Sequence, residues 1–240
     1  MGIPVMIMGE SGSGKTYSIK NLNPDGVLVL LCEKNRLPFK KKFETFKIQE
    51  TLVKGKPLNH GELVHAILGR MEKKICVIDD SQYLMVNEYF DRMQESGYQK
   101  YTEIGSHFRD VIHSVNNELP DDVIVYFLHH TDQDASSGRT KAKTIGRLLD
   151  DKLTLEGCFD IVLRTCVTDR QYTFRTRTDG SDTAKSPEEM FETPTIPNDL
   201  ALVDATIRAY YGLQPLQPAD EPKPGKAPKP NEKNKEENRK

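Results

Sequence analysis

The 240-residue sequence predicts an α/β fold: a mainly parallel, twisted sheet flanked by helices, with a C-terminal β-hairpin and a last helix. Short apolar runs alternate with segments whose apolar residues recur at helical spacing, and polar residues follow several of the runs. A glycine-rich loop lies between the first run and the first helical segment. We expect residues 1–212 to form one domain and residues 213–240 a disordered tail, because Pro, Lys, Glu and Asn replace apolar residues there.

The N-terminal part supplies the first predicted strands. Residues 4–8 form a short apolar strand, and residues 15–22 form the helix after the glycine-rich loop. Residues 27–31 are an unbroken aliphatic run, which suits a strand covered on both faces of a parallel sheet. Residues 43–53 alternate weakly and predict a further strand, and residues 63–71 have the spacing of an amphipathic helix.

The middle of the chain continues this alternation, and its end departs from it. Residues 75–78 and 123–128 are predicted strands, and the segment 101–119 between them is a predicted helix. Residues 161–178 read as an antiparallel hairpin around the polar turn 168–171. Asn198 can cap a final helix that runs to about Tyr211.

Composition sets the class of protein. The formal net charge is −2, so no overall basic field points to nucleic acid, and such a partner would need a local patch. No segment is apolar over a membrane-spanning length and no signal peptide is evident, so we expect a cytoplasmic protein. The scattered cysteines form no metal-ligand pair and are predicted as buried thiols: Cys32, Cys76, Cys158 and Cys166.

The glycine-rich loop at residues 9–16 matches the phosphate-binding pattern GxxxxGK[ST]. Gly9 and Gly14 let the backbone wrap closely, so that successive N–H groups face the phosphates. Lys15 is predicted to reach the β- and γ-phosphates, and the Thr16 hydroxyl to bind Mg²⁺, so ATP and Mg²⁺ are the expected ligands. The predicted nucleotide-binding residues are Gly9, Glu10, Ser11, Gly12, Ser13, Gly14, Lys15, Thr16 and Tyr17.

A carboxylate for Mg²⁺ is expected at the end of a neighbouring strand. Asp79 follows the four apolar residues 75–78 and is predicted to hold the metal beside Thr16. Asp80 is the less favoured second carboxylate, and either aspartate could instead cap a helix.

Two more strand ends carry candidate catalytic groups. Glu33 closes the strand 27–31 and is predicted to orient or deprotonate water; the alternative is a solvated glutamate beside Lys34. His129 and His130 close the strand 123–128, and one could sense the γ-phosphate, His129 being preferred. The alternative is an ordinary polar pair at the end of a strand.

The order of these motifs resembles the RecA-type core. A phosphate loop is followed by a strand-end glutamate (Glu33), a strand-end aspartate (Asp79) and a strand-end polar sensor. In AAA+ proteins the catalytic glutamate normally follows the metal-binding aspartate directly, but Asp80 stands there in this chain. Over residues 3–211 the chain looks like the short phage-encoded RecA-like NTPases that act as single-strand annealing proteins or recombinases.

This resemblance implies a RecA fold, a homo-oligomer with ATP between subunits, and action on single-stranded DNA, with a single-strand binding protein as a further partner. It also implies a location in the host cytoplasm. Lys15, Glu33, Asp79 and His129 would form the catalytic set. The sensor of RecA is a glutamine, so a histidine departs from the family pattern.

Three further features are candidates for DNA or subunit contacts. The segment 131–143, rich in serine and glycine, is predicted to be a flexible DNA-binding loop, or otherwise a solvated surface loop. Its basic residues are Arg139, Lys141 and Lys143. Tyr98, Lys100 and Tyr101 could form a stacking platform, or a tyrosine in this segment could pack under its own helix.

Arg175 and Arg177 alternate along a predicted strand and resemble the paired cations that RecA-type subunits offer to a neighbour's γ-phosphate. The alternative is an edge strand whose charges prevent aggregation. Other function classes remain open: an ATP-binding switch, and an AAA-type motor or loader. A nucleotide kinase is disfavoured, because the sequence has no lid segment rich in arginine.

Overall fold

The computed structural model describes residues 1–33, 36–49, 59–150 and 153–216. These residues contain nine strands: β1 (Ile3–Gly9), β2 (Val27–Leu31), β3 (Glu44–Lys47), β4 (Ile75–Asp79), β5 (Ile124–Gln133), β6 (Thr140–Ala142), β7 (Ile161–Thr168), β8 (Gln171–Arg175) and β9 (Thr195–Pro197). Their α-helices are α1 (His60–Leu68), α2 (Tyr83–Asp91), α3 (Gln99–Glu118), α4 (Arg147–Asp150) and α5 (Leu200–Tyr210).

The strands form one mixed sheet in the order β3-β2-β4-β5-β1-β7-β8-β9. All neighbours from β3 to β7 are parallel, whereas β8 and β9 are antiparallel additions at one edge and β6 pairs with the far end of β5. The expected α/β class is therefore confirmed, including the C-terminal hairpin and the last helix.

Two apolar clusters cover the two faces of this sheet. Val5 and Ile7 face α5, whereas Met6 and Met8 face α1 and α3, as the two-residue period of a strand requires. Both faces are covered, which explains why β1, β2 and β4 are unbroken apolar runs.

Helix α5 is fastened to the sheet by a buried polar group of three side chains. The Arg208 guanidinium contacts the Asp204 carboxylate at 2.7 Å, and the Tyr126 hydroxyl donates to the same carboxylate at 3.1 Å. Burial raises the pKa of Asp204 and of Tyr126. This anchor sets the position of α5 beside the segment that follows the glycine-rich loop.

Several elements differ from the expectations. The predicted helix at 15–22 is a six-residue 3-10 helix, Thr16–Asn21. It ends shortly before Pro24, since the residue that precedes a proline is disfavoured in the helical region. The strand predicted at 43–53 is β3, and residues 50–53 lie outside the described part of the chain. Residues 217–240 of the tail also lie outside it.

The sequence interpretation also missed α2, α4 and β9, which the structure adds between the predicted elements. Of the cysteines, Cys32 and Cys76 are buried as expected, whereas Cys158 and Cys166 are only partly buried. No helix in the described ranges combines the length and apolarity that crossing a membrane requires.

Candidate nucleotide-binding site

The glycine-rich loop connects the end of β1 to the 3-10 helix, and its glycines are required by its shape. Gly12 and Gly14 have φ angles of 78° and 94°, in the left-handed region that favours glycine. A Cβ atom on Gly9 would lie 1.8 Å from Thr165 Oγ1, so a side chain cannot fit there. The loop therefore has the tight, close-packed backbone that a phosphate cradle needs.

Thr165 on β7 supports this loop from the adjacent strand. Its hydroxyl donates to Ser13 Oγ at 2.6 Å, and the Ser13 hydroxyl donates to the Glu10 carbonyl oxygen at 2.6 Å. The sequence interpretation missed Thr165, because nothing in a threonine of a hairpin strand shows that β7 will lie next to β1.

Lys15 lies inside the curve of the loop. Its Nζ donates to the carbonyl oxygens of Gly9 at 2.8 Å and of Glu10 at 2.9 Å, and the residue is 5% exposed. Tyr17 is instead exposed, and Lys20 Nζ donates to its hydroxyl at 2.6 Å. The loop backbone thus holds the Lys15 ammonium, whereas Tyr17 faces outward.

Thr16 and Asp79 meet at the sheet edge although their strands are not neighbours. In the sheet, β5 lies between β1 and β4. The Thr16 hydroxyl, which follows β1, donates to Asp79 Oδ1 at the end of β4 at 2.8 Å. Both residues are buried. The sequence predicted this pairing of a loop hydroxyl with a strand-end carboxylate, and the geometry brings the two together.

The oxygen donors of this pair fit Mg²⁺. In proteins Mg²⁺ is typically held by one or two protein oxygens together with substrate phosphates and water. Among the described residues no group of three or more His, Cys, Asp or Glu side chains is placed to hold a metal by itself. Thr16 and Asp79 therefore suit a metal that arrives with a nucleotide rather than an all-protein cage.

Asp80, although adjacent to Asp79, has a different partner. Its Oδ1 lies 3.1 Å from Nε2 of His130, and its backbone has a φ angle of 58°, which aspartate tolerates better than most residues. Asp79 accepts from Thr16 and Asp80 pairs with His130, so the two adjacent carboxylates have different partners.

His129 is fully buried, and both of its ring nitrogens contact protein groups. Nε2 lies 2.8 Å from the Lys143 carbonyl oxygen, which can only accept, so Nε2 carries the proton and Nδ1 accepts from the Ser81 hydroxyl at 2.9 Å. Burial lowers the pKa of His129 to about 4, so the ring is neutral at pH 7. The structure places it as a link between Ser81, two residues after Asp79, and the segment that follows β6.

Glu33 stands on the same rim. It follows Cys32, whose N–H donates to the Asp79 carbonyl oxygen at 3.2 Å, and its own carboxylate accepts from Gln49 Nε2 at 3.0 Å. Burial raises the pKa of the Cys32 thiol, and the charges of Asp79, Asp80 and Glu33 raise it further. Glu33 thus follows β2 at the same edge of the sheet as the end of β4, and its exposed side chain contacts Gln49 on the β3 side.

The segment 131–143 is an ordered hairpin, which corrects the expectation of a flexible loop. Residues 131–133 at the end of β5 pair with β6. At the turn, the Asp134 carboxylate accepts hydrogen bonds from Ser136 and Ser137, which lower its pKa. The serines close the turn through Asp134 instead of loosening it.

The three cations of this hairpin have different surroundings. Lys141 Nζ contacts Asp150 at 2.8 Å, and Arg139 donates to the Asp182 carbonyl oxygen at 2.7 Å. Lys143 is exposed, next to the contact with His129.

The three residues of the candidate stacking platform have different surroundings, although Lys100 Nζ lies 5.5 Å from the centre of the Tyr101 ring. Lys100 is buried and donates to the Glu95 carbonyl oxygen at 2.8 Å, and Tyr101 packs 5.7 Å from Tyr89, centroid to centroid. Tyr98 is 75% exposed. Tyr89 lies on α2 and Tyr101 on α3, so this packing joins two helices.

Arg175 and Arg177 do not alternate along one strand, because β8 ends at Arg175. Arg175 Nη1 contacts Asp179 at 2.6 Å and the buried Asp182 at 3.3 Å. Arg177 lies beyond the strand and donates to the Phe191 carbonyl oxygen at 3.2 Å. Each arginine thus has partners within its own chain.

No family model matches the chain, and no curated protein matches it. Among solved structures, a KaiC-like protein from the hyperthermophilic archaeon Pyrococcus horikoshii OT3 is similar, with 15% identity, a TM-score of 0.48, and coverage of 81% of this chain and 84% of that one. A DnaB-like replicative helicase, solved in a study of its interactions with primase, has 12% identity, a TM-score of 0.44 and coverage of 78% of this chain. The match spans 52% of the helicase chain, about half its length.

Proposed function

We propose that this chain is a Mg²⁺-dependent ATPase that acts on single-stranded DNA in phage recombination, annealing or replication. The observation that carries the nucleotide half of the proposal is the 2.8 Å hydrogen bond from Thr16 to Asp79 beside Lys15. A loop hydroxyl, a strand-end carboxylate and a loop lysine are the protein groups that phosphate loops use for Mg²⁺ and the β- and γ-phosphates.

Each group has a distinct role in this proposal. The backbone N–H groups of residues 9–16 and the Lys15 ammonium bind the phosphate chain. Bound through Thr16 and Asp79, Mg²⁺ would neutralise charge on the β- and γ-phosphates. Glu33, on the rim close to Asp79, orients water or takes its proton, and its exposed carboxylate is open to solvent.

The DNA half of the proposal rests on the resemblance to RecA-like proteins and on the hairpin 131–143. Arg139, Lys141 and Lys143 would contact the phosphate backbone, in a homo-oligomer with ATP between subunits and Arg175 and Arg177 near the neighbour's nucleotide. His129 joins Ser81 to the base of the hairpin, which supports a connection between the two sites.

A second candidate is an ATP-binding switch, or an AAA-type motor or loader, without recombinase activity. The contacts of Arg139 and Lys141 with Asp182 and Asp150 favour it, because cations already paired within the chain contribute less to binding DNA.

Steady-state ATP hydrolysis with Mg²⁺, with and without single-stranded DNA at two salt concentrations, separates the candidates. We expect stimulation by DNA that weakens as salt rises, since phosphate contacts release counterions. An equal rate of hydrolysis with and without DNA at both salt concentrations would contradict the DNA half of the proposal and favour the switch or loader. The absence of both hydrolysis and ATP binding would rule out the proposal as a whole.

A further inference from the structure

The position of the Thr16–Asp79 pair on one side of the loop indicates which way the phosphate chain of a bound triphosphate would run. The sheet order places β5 and β4 on one side of β1, and β7 and β8 on the other. Thr16 and Asp79 would hold a Mg²⁺ ion that arrives with the triphosphate, so the γ end of the phosphate chain would lie on the β4 side of the loop. The α-phosphate and the nucleoside would then leave the loop on the side of β7 and β8.

Tyr172 lies at the loop on that side. It is the second residue of β8, and its Cδ1 atom is 2.8 Å from the position that a Cβ of Gly14 would take. Its ring is 44% exposed. A flat, half-exposed aromatic ring beside the last glycine of a phosphate loop is a surface on which a nucleobase can stack.

Asn198 lies next to the same glycine. Its side-chain nitrogen and oxygen are each 3.4 Å from the Cβ position of Gly14, and its backbone N–H donates to the Tyr172 carbonyl oxygen at 3.3 Å. In the described part of the chain neither amide atom has a hydrogen-bond partner, although both are shielded from solvent. Unpaired buried polar atoms are unfavourable, so this amide is suited to a partner that arrives with a ligand.

No hydrogen bond among the described residues accounts for the buried Asn198 carboxamide. Asp199, not Asn198, caps α5 by accepting from the Ala201 N–H at 2.9 Å, and the same Asp199 carboxylate accepts from Asn21. Asp199 therefore fixes the segment against the 3-10 helix, and the adjacent carboxamide is left for another use.

We propose that Tyr172 and Asn198 form the nucleobase subsite of the phosphate loop and select adenine. In this subsite the base stacks on the Tyr172 ring, and the Asn198 carboxamide, which lies beside the same glycine, contacts the base edge. A carboxamide offers one donor and one acceptor, which match the N6 amine and N7 of adenine, whereas guanine presents two acceptors at that edge. The proposal rests on nucleotide binding by the loop, as proposed above.

Isothermal titration calorimetry with Mg²⁺ tests the subsite with three probes: the non-hydrolysable imido analogues of ATP and GTP, and tripolyphosphate. Tripolyphosphate has no base and reports on the phosphate loop alone. We expect Tyr172→Ala to weaken the ATP analogue about 10-fold and leave tripolyphosphate unchanged, and Tyr172→Phe to retain wild-type binding. Asn198→Ala should lower the preference for the adenine over the guanine analogue about 10-fold.

Tyr210→Ala, which removes another half-exposed tyrosine at the end of α5, is the matched control and should bind all three probes as the wild type does. Equal losses for tripolyphosphate and the ATP analogue in Tyr172→Ala and Asn198→Ala would overturn the subsite, since these residues would then only support the loop. Unchanged binding of the ATP analogue in both would overturn it too. If the wild-type chain bound neither ATP analogue nor tripolyphosphate, the proposed function itself would fail.

Discussion

The phosphate loop and the hairpin 131–143 both lie at the carboxyl edge of the parallel strands, but their charged side chains are paired in different ways. At the loop, Thr16 and Asp79 are far apart in sequence and meet in a buried contact. In the hairpin, Asp134 is bound by the nearby Ser136 and Ser137, and Lys141 by Asp150. The fold brings distant residues together at the loop, whereas Asp134 and Lys141 of the hairpin pair with residues that are near them in sequence. A ligand should therefore depend strongly on the first region and only moderately on any single residue of the second.

The largest effect should come from Lys15. Replacing Lys15 by Ala removes a buried ammonium expected to bind two phosphates, and two charged hydrogen bonds of about 1.5 kcal/mol or more each correspond to a loss of affinity of roughly 100-fold. Titration with the ATP analogue measures it. Lys73→Ala, which removes a surface ammonium near Glu44, is the control and should bind normally. Full affinity in Lys15→Ala would contradict the assignment of the loop.

Glu33 should affect turnover and not binding. Glu33→Gln keeps the side-chain shape but removes the base, and loss of a general base typically slows catalysis by about 100-fold or more. Gln49→Ala, which removes only the hydrogen bond to Glu33, should change turnover much less. Steady-state hydrolysis beside a binding titration distinguishes the two. Equal turnover in Glu33→Gln and the wild type would exclude Glu33 as the base.

His129 should make stability depend on pH. Its pKa is about 4 in the folded chain and about 6.5 when unfolded, so the unfolded state binds a proton first as pH falls. The stability from keeping His129 neutral is therefore complete above about pH 6.5 and is lost as pH falls toward about 4. Between pH 7 and pH 5 we expect a loss of about 2 kcal/mol in the free energy of unfolding.

His129→Asn isolates this contribution, because the carboxamide cannot be protonated. Urea unfolding of both proteins at pH 7 and pH 5 gives the four free energies. The wild type should lose about 2 kcal/mol more than the variant over this interval. Identical pH dependence in the two proteins would show that His129 is not held neutral by burial.

The sequence predicted best what depends on nearby residues. The apolar runs of β1, β2 and β4 could be read from the sequence because strand periodicity is a local property, and the glycine-rich pattern of residues 9–16 is local as well. The prediction that Asp79 lies beside Thr16 agrees with the hydrogen bond between them, whereas the roles of both residues stay predictions. Thr165 and Tyr172 could not be assigned to the loop, because their role depends on β7 lying beside β1. The partners of Lys141 and Arg139 were hidden for the same reason.

The smallest effects should come from single basic residues of the hairpin, and Lys143 is an exposed one at its base. If the hairpin follows a DNA backbone, Lys143→Ala should weaken binding to a labelled single-stranded oligonucleotide by a few fold and reduce the slope of log affinity against log salt by about 0.7. Lys185→Ala, which removes an exposed lysine outside this hairpin, should leave both quantities unchanged. Because Lys141 is paired with Asp150, Lys141→Ala should lower the salt slope less than Lys143→Ala does. The opposite ranking would show that the Lys141–Asp150 ion pair opens when DNA binds. Lys141 would then exchange its partner in the hairpin for a DNA phosphate.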